Sequence, residues 1–122
     1  MSQTDKAYNL LNRMSGIHLN QEETKLLEFH ENFAGMTNKD GITQGLFEIM
    51  DISIDSLGEN LKRLGYTRLP LPGIDLGNGF NGNVKSSDVG YYKMTLSHRS
   101  VIDQLIIFNF SRKRIIIYKA VN

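Results

Sequence analysis

The 122-residue sequence has no cysteine, no tryptophan and only two prolines, Pro70 and Pro72. Without thiols it can form no disulfide, use no thiol nucleophile and build no cysteine-ligated zinc site. Its three histidines, His18, His30 and His98, lie too far apart in sequence to supply a ligand cluster, so no metal and no other cofactor is expected. Long hydrophobic runs are also missing. The longest, "QLIIFNF" and "IIIY", fall well short of the roughly 20 residues that a membrane-spanning helix requires. The opening "MSQTDKAYN" is too polar for a secretory signal. The expectation is a cytoplasmic protein without a membrane partner.

What is present fits one folded domain covering residues 1–122. Hydrophobic residues make up 40% and charged residues 22%, ordinary proportions for a chain that buries a single core. The formal net charge of +1 hides an asymmetry. Residues 1–65 carry six Lys/Arg against ten Asp/Glu, a net of −4, and residues 66–122 carry eight against three, a net of +5. Such a split points to an anionic ligand or surface at the basic end, although uneven charge is also common in small domains.

Periodicity predicts four helices before residue 66. "SQTDKAYNLLNRMSG" places Ala7, Leu10, Leu11 and Met14 on one face, with Ser2 or Thr4 as cap and Gly16 as terminator. "NQEETKLLEFHENFAG" has capping-box spacing at Asn20 and Glu23 and a face of Leu26, Leu27, His30 and Phe33. "ITQGLFEIMD" repeats Ile42, Leu46, Ile49 and Met50 at helical spacing despite Gly45. Ser53 then caps a fourth helix with a stripe of Ile54, Leu57, Leu61 and Leu64, ended by Gly65. Residues 66–90 read as a loop or wing. From residue 91 the period becomes that of strands: "YYKMTLS", "DQLIIFNFS" and "RIIIYKAV", the last two joined by the turn "SRKR". The fold class expected is α+β, an N-terminal helical half followed by a C-terminal antiparallel β-meander. The final strand reads either as a central strand or as an edge able to extend a sheet into another chain, which would give a homodimer or a docking site.

Residues 19–69 resemble the winged helix-turn-helix superfamily, with "LFEIMDISIDSLGENLKRLGY" as the two-helix element and "YYKMTLS" similar to a returning wing strand, so that the likeness extends to about residue 97. The resemblance implies that Leu46, Met50, Ile52, Leu57 and Leu61 wedge two helices at a fixed angle. Phe47 and Asp51 depart from the pattern, which favours a small residue and a glycine there. It also implies DNA binding. Ser56 and Asn60 would read bases, and Lys62, Arg63, Arg68, Lys85, Lys93 and Arg99 would meet phosphates. Asp55 and Glu59, on the helix that would face the bases, work against this because each repels a polyanion.

Two other stretches have chemical meaning only in the right setting. "GNGFNG", residues 77–82, matches a dinucleotide-binding glycine pattern but lacks the flanking strand and helix, and reads as part of a glycine-rich loop over residues 73–83. "SHRS" pairs His98 with Arg99, as a small ribonuclease could, but a polar turn between strands is the simpler reading. Taken together, the sequence reads first as a non-enzymatic nucleic-acid-binding regulator. The alternative is an inhibitor or immunity-type module that occludes a partner protein through the acidic helical face of Asp55 and Glu59 and the long glycine-rich loop.

Overall fold

Helix α1, Gln3–Ser15, begins where the Asp5 amide donates a 3.1 Å hydrogen bond to the Ser2 hydroxyl oxygen. It ends at Gly16, whose φ of 69° is the left-handed conformation in which its N–H reaches back to the Asn12 carbonyl. Both ends lie where the sequence places them. The computed structural model describes residues 2–16, 24–33, 41–49, 54–69, 88–109 and 113–121.

The next two elements overturn the expected helical half. Residues Thr24–Phe33 form strand β1 and Gly41–Ile49 form strand β2, paired antiparallel to one another. The register shifts between Leu26 and Glu28, a bulge that changes the phase of β1. Leu26 and Phe29 consequently pack on one side of the strand and Leu27 on the other, a three-residue step that imitates a helical stripe. Strand β2 misleads for a different reason. Phe47 and Ile49 are buried on one face and Leu46 on the other, so the alternation that marks a half-buried strand is missing. Among the described residues, the proposed two-helix element of residues 46–66 therefore contains one helix, and its first part, to Ile49, is a strand.

Helix α2, Ile54–Arg63, does form, and Gly65 with φ 97° turns the chain out of it into the short strand β3, Thr67–Leu69. Strands β4, Val89–Ser97, β5, Ser100–Asn109, and β6, Arg114–Val121, make the expected meander. The six strands form one sheet in the order β1-β2-β6-β5-β4-β3, every neighbouring pair antiparallel. The last strand is thus central, between β2 and β5, and does not provide a free edge.

Both helices pack on one face of this sheet. Ala7, Leu11, Leu57 and Leu61 meet Phe47, Tyr91, Ile106, Phe108, Ile115 and Ile117 in the main core. Tyr8 stacks edge-on against Phe47 with centroids 5.4 Å apart, while its hydroxyl donates to the Thr24 carbonyl at 2.8 Å. The ring is buried without leaving its polar end unpaired. The opposite face has a second apolar cluster of Leu46, Leu105, Ile107 and Ile116, flanked by Leu27, Leu69, Tyr92 and Tyr118. Among the described residues no helix is long and apolar enough to cross a membrane.

Candidate interaction surface

Helix α2 is clamped at close range to both of its neighbours. Leu57 and Leu61 are fully buried, and Gly58 lies so near β4 that a Cβ there would stand 2.7 Å from the Tyr91 hydroxyl. On its other flank the Asn60 amide donates to the Ser15 carbonyl at 2.7 Å, and just beyond the helix the Tyr66 hydroxyl donates to the Met14 carbonyl at 3.0 Å. These two side chains tie the C-terminal carbonyls of α1, which have no partner within their own helix. Asn60, expected as a base reader, is therefore engaged in holding the fold together.

The remaining candidate residues divide into groups. Lys62 and Arg63 end α2 and are exposed, a favourable place for cations beside the partial negative charge of a helix C-terminus. Arg68 is exposed on β3 opposite Tyr91, so it projects on the helix side of the sheet. Lys93, next but one along β4, shares that side, and its ammonium sits 5.8 Å from the centre of the Tyr66 ring. The α2–β3 junction thus brings Lys62, Arg63, Arg68 and Lys93 to one corner of the molecule. Ser56 lies apart, near the start of α2, and Arg99 occupies the β4–β5 turn. Glu59 is exposed on α2, Asp55 is in its first turn with its side chain outside the described set, and Lys85 and the glycine-rich loop are also outside it.

His98, in the same turn as Arg99, takes a left-handed φ of 49° at the tip of the β4–β5 hairpin. Both residues are exposed, and among the described residues no hydrogen bond or ion pair links His98 to a second acid or base. The turn closes the hairpin without assembling a proton-transfer pair. Nor do the described residues gather three or more His, Asp or Glu that could hold a metal ion.

The residues that sequence reasoning missed lie on the second face of the sheet. The Tyr92 hydroxyl donates a 2.5 Å hydrogen bond to the carboxylate of Asp103; that bond, then burial, then the repulsion between carboxylate and phenolate raise the phenol's pKa. Beyond it, Met94 is 56% exposed and Leu96 73% exposed, with the half-buried Val101 opposite Leu96. Along β4 these side chains carry the apolar side on from Tyr92 into solvent, while on β5 the Asp103 carboxylate, opposite Met94, stands between Leu105 and Val101. The alternation of Tyr92, Met94 and Leu96 is visible in the sequence, but alternation shows that a strand has an apolar side without showing how far that side is covered. No family model, curated protein or solved structure matches the chain.

Proposed function

We propose that the protein is a non-enzymatic module that docks on a partner protein and occludes it. The observation that carries this reading is the apolar outer end of the second sheet face, where Met94 and Leu96 stand in water. Isolated exposed apolar residues are ordinary, but Met94 and Leu96 extend the apolar side of β4 beyond Tyr92, Leu96 facing Val101 and Met94 facing Asp103, and such a pair is the kind of surface that protein interfaces cover. Burying each of the two larger side chains would contribute about 1.5–3 kcal/mol. The acidic side of α2 is a weaker candidate, because Glu59 is followed within one turn by Lys62 and Arg63.

The experiment is affinity capture with the tagged protein, purification of the captured protein, and titration calorimetry of the reconstituted pair. An equimolar complex weakened about tenfold or more by Leu96→Asp is the expected result. A complex indifferent to that substitution refutes docking through this face.

A second reading, nucleic-acid binding, is favoured by the convergence of Lys62, Arg63, Arg68 and Lys93 at one corner. With Asn60 engaged elsewhere, that corner offers phosphate contacts without base readers, so binding would be independent of sequence. Fluorescence anisotropy with duplex DNA at two salt concentrations tests it. Affinity must fall steeply as salt rises, and duplex DNA that fails to bind at low salt eliminates it.

A further inference from the structure

The two edges of the sheet are protected unequally. Strand β1 has a bulge at Leu26/Glu28 and carries Lys25, Glu28 and Glu31, the devices that keep an edge strand from recruiting another. At the other edge β3 spans only Thr67–Leu69 and pairs with Tyr92, Tyr91 and Gly90. Immediately before it the chain turns away at Gly65, where a Cβ would lie 3.7 Å from the Lys93 side chain. From Met94 to Ser97, β4 is therefore the edge itself, with no strand on its outer side among the described residues. Its hairpin also runs past β6, whose last pairing with β5 is Ile102 to Val121.

The two sides of this edge differ chemically. On the open face it presents Met94 and Leu96; on the helix face it presents Thr95 and Ser97, with Lys93 just before them on β4 and Arg68 further along, opposite Tyr91. A strand added here would place alternate side chains against these two surfaces. Residues on one side would meet a thioether and an isobutyl group; residues on the other would meet Thr95 and, toward the β3 end, Lys93 and the adjoining stretch Lys62–Arg68, which holds three cations and no acidic residue. A second copy of this chain fits poorly, because antiparallel two-fold pairing over Met94–Ser97 would set each Lys93 beside the other copy's hairpin tip, which carries the exposed Arg99.

We propose, resting on the docking reading above, that the occupant is an extended segment of the partner protein in which apolar and acidic residues alternate, added to the sheet at Met94–Ser97. Main-chain hydrogen bonds to the open edge supply the attachment, and the alternation sets direction and register.

The probe is a fluorescein-labelled peptide of alternating valine and glutamate. Two controls accompany it: the valine–lysine counterpart, and the glutamate peptide N-methylated at every second amide so that one edge cannot donate. Saturable binding of the glutamate peptide is expected, about tenfold or more tighter than either control, with slowed exchange of the Met94 and Leu96 amides. Arg68→Glu, at an exposed position that leaves the core untouched, should weaken the glutamate peptide and strengthen the lysine peptide.

Absence of saturable binding, indifference to N-methylation, indifference to peptide charge, or dimerisation of the protein through β4 in sedimentation overturns the proposal. Failure of the edge and failure of the docking reading are distinguishable. If the captured partner is lost on Leu96→Asp while all three peptides are ignored, docking stands and strand addition falls. A partner that survives Leu96→Asp removes both.

Discussion

The Asn60 side-chain amide donates a 2.7 Å hydrogen bond to the main-chain carbonyl of Ser15, joining the second turn of α2 to the last residue of α1 across 45 positions of sequence. The bond fixes how the two helices lie relative to one another on the sheet, and with it the position of the basic corner at the end of α2. Asn60→Ala removes the donor while leaving the helix intact. The expected loss is about 1 kcal/mol, read as a fall of roughly 4 °C in melting temperature. A variant as stable as the parent would show that the contact is replaceable by water. Unchanged binding to partner or DNA after correction for stability would confirm that Asn60 works through the fold and not through a ligand.

Gly58 and Tyr91 make a sign-reversing prediction. Alanine is ordinarily the better residue inside a helix by about 0.8–1.0 kcal/mol. Here its methyl would stand 2.7 Å from a hydroxyl on a buried ring that is itself held edge-on against Phe108, with centroids 6.0 Å apart. Gly58→Ala should therefore destabilise the protein by about 1–3 kcal/mol. Tyr91→Phe deletes the offending oxygen, and in that background the same substitution should cost much less or become stabilising. A double-mutant cycle by urea denaturation measures the coupling. Additive effects would mean that α2 shifts away from β4 at no cost.

How much of this architecture was legible in the sequence depended on whether each element shows a clean period. Helix α1 was readable because its cap, stripe and terminating glycine agree, and the meander because β-branched residues and polar turns mark it. Strand β1 hid behind its bulge, which spaces Leu26 and Phe29 as a helix would. Strand β2 hid because it is buried on both sides, and Gly45 was the overlooked signal. A Cβ there would meet Ile117 at 3.1 Å, so the glycine marks close strand packing where the helical spacing around it suggests a flaw in a helix. The basic corner was partly legible as the residues Lys62, Arg63, Arg68 and Lys93. Their gathering was not, because it depends on Gly65 turning the chain back along β4. The exposed end of the second face was invisible, since sequence cannot say where covering stops.

Alkaline pH should unfold the protein partly through Tyr66. Burial raises its phenol from the ordinary 10.0 to about 12; the hydroxyl donates to the Met14 carbonyl, with the Gln104 side-chain oxygen 3.4 Å away as an alternative acceptor. The folded state holds the proton more tightly than the unfolded one. The stabilisation from this group is complete below the unfolded value, declines as pH rises above 10.0, and is lost by about 12. Tyr92, also raised through Asp103, acts in the same direction. Tyr66→Phe should be less stable at neutral pH, having lost its hydrogen bond, yet show a shallower decline in stability between those two values. Parallel curves for parent and variant would exclude Tyr66 as the titrating group.

Leu96 and Leu105 lie on the same face of adjacent strands, yet opposite outcomes are expected when each is changed. Leu105 is 5% exposed within the second cluster, so Leu105→Ala should cost about 2–5 kcal/mol through lost burial and the cavity left behind. Leu96 is 73% exposed, so Leu96→Asp should alter stability by no more than about 0.5 kcal/mol. If the outer end of the face is an interface, Leu96→Asp has its effect on association instead, placing a carboxylate where the partner's apolar group would sit. Leu105→Ala should leave affinity near its parent value wherever the protein is still folded. Urea denaturation and calorimetric titration of the same two variants separate the two roles. A large stability loss from Leu96→Asp would mean that its side chain supports the hairpin, and the patch would then be structure instead of interface.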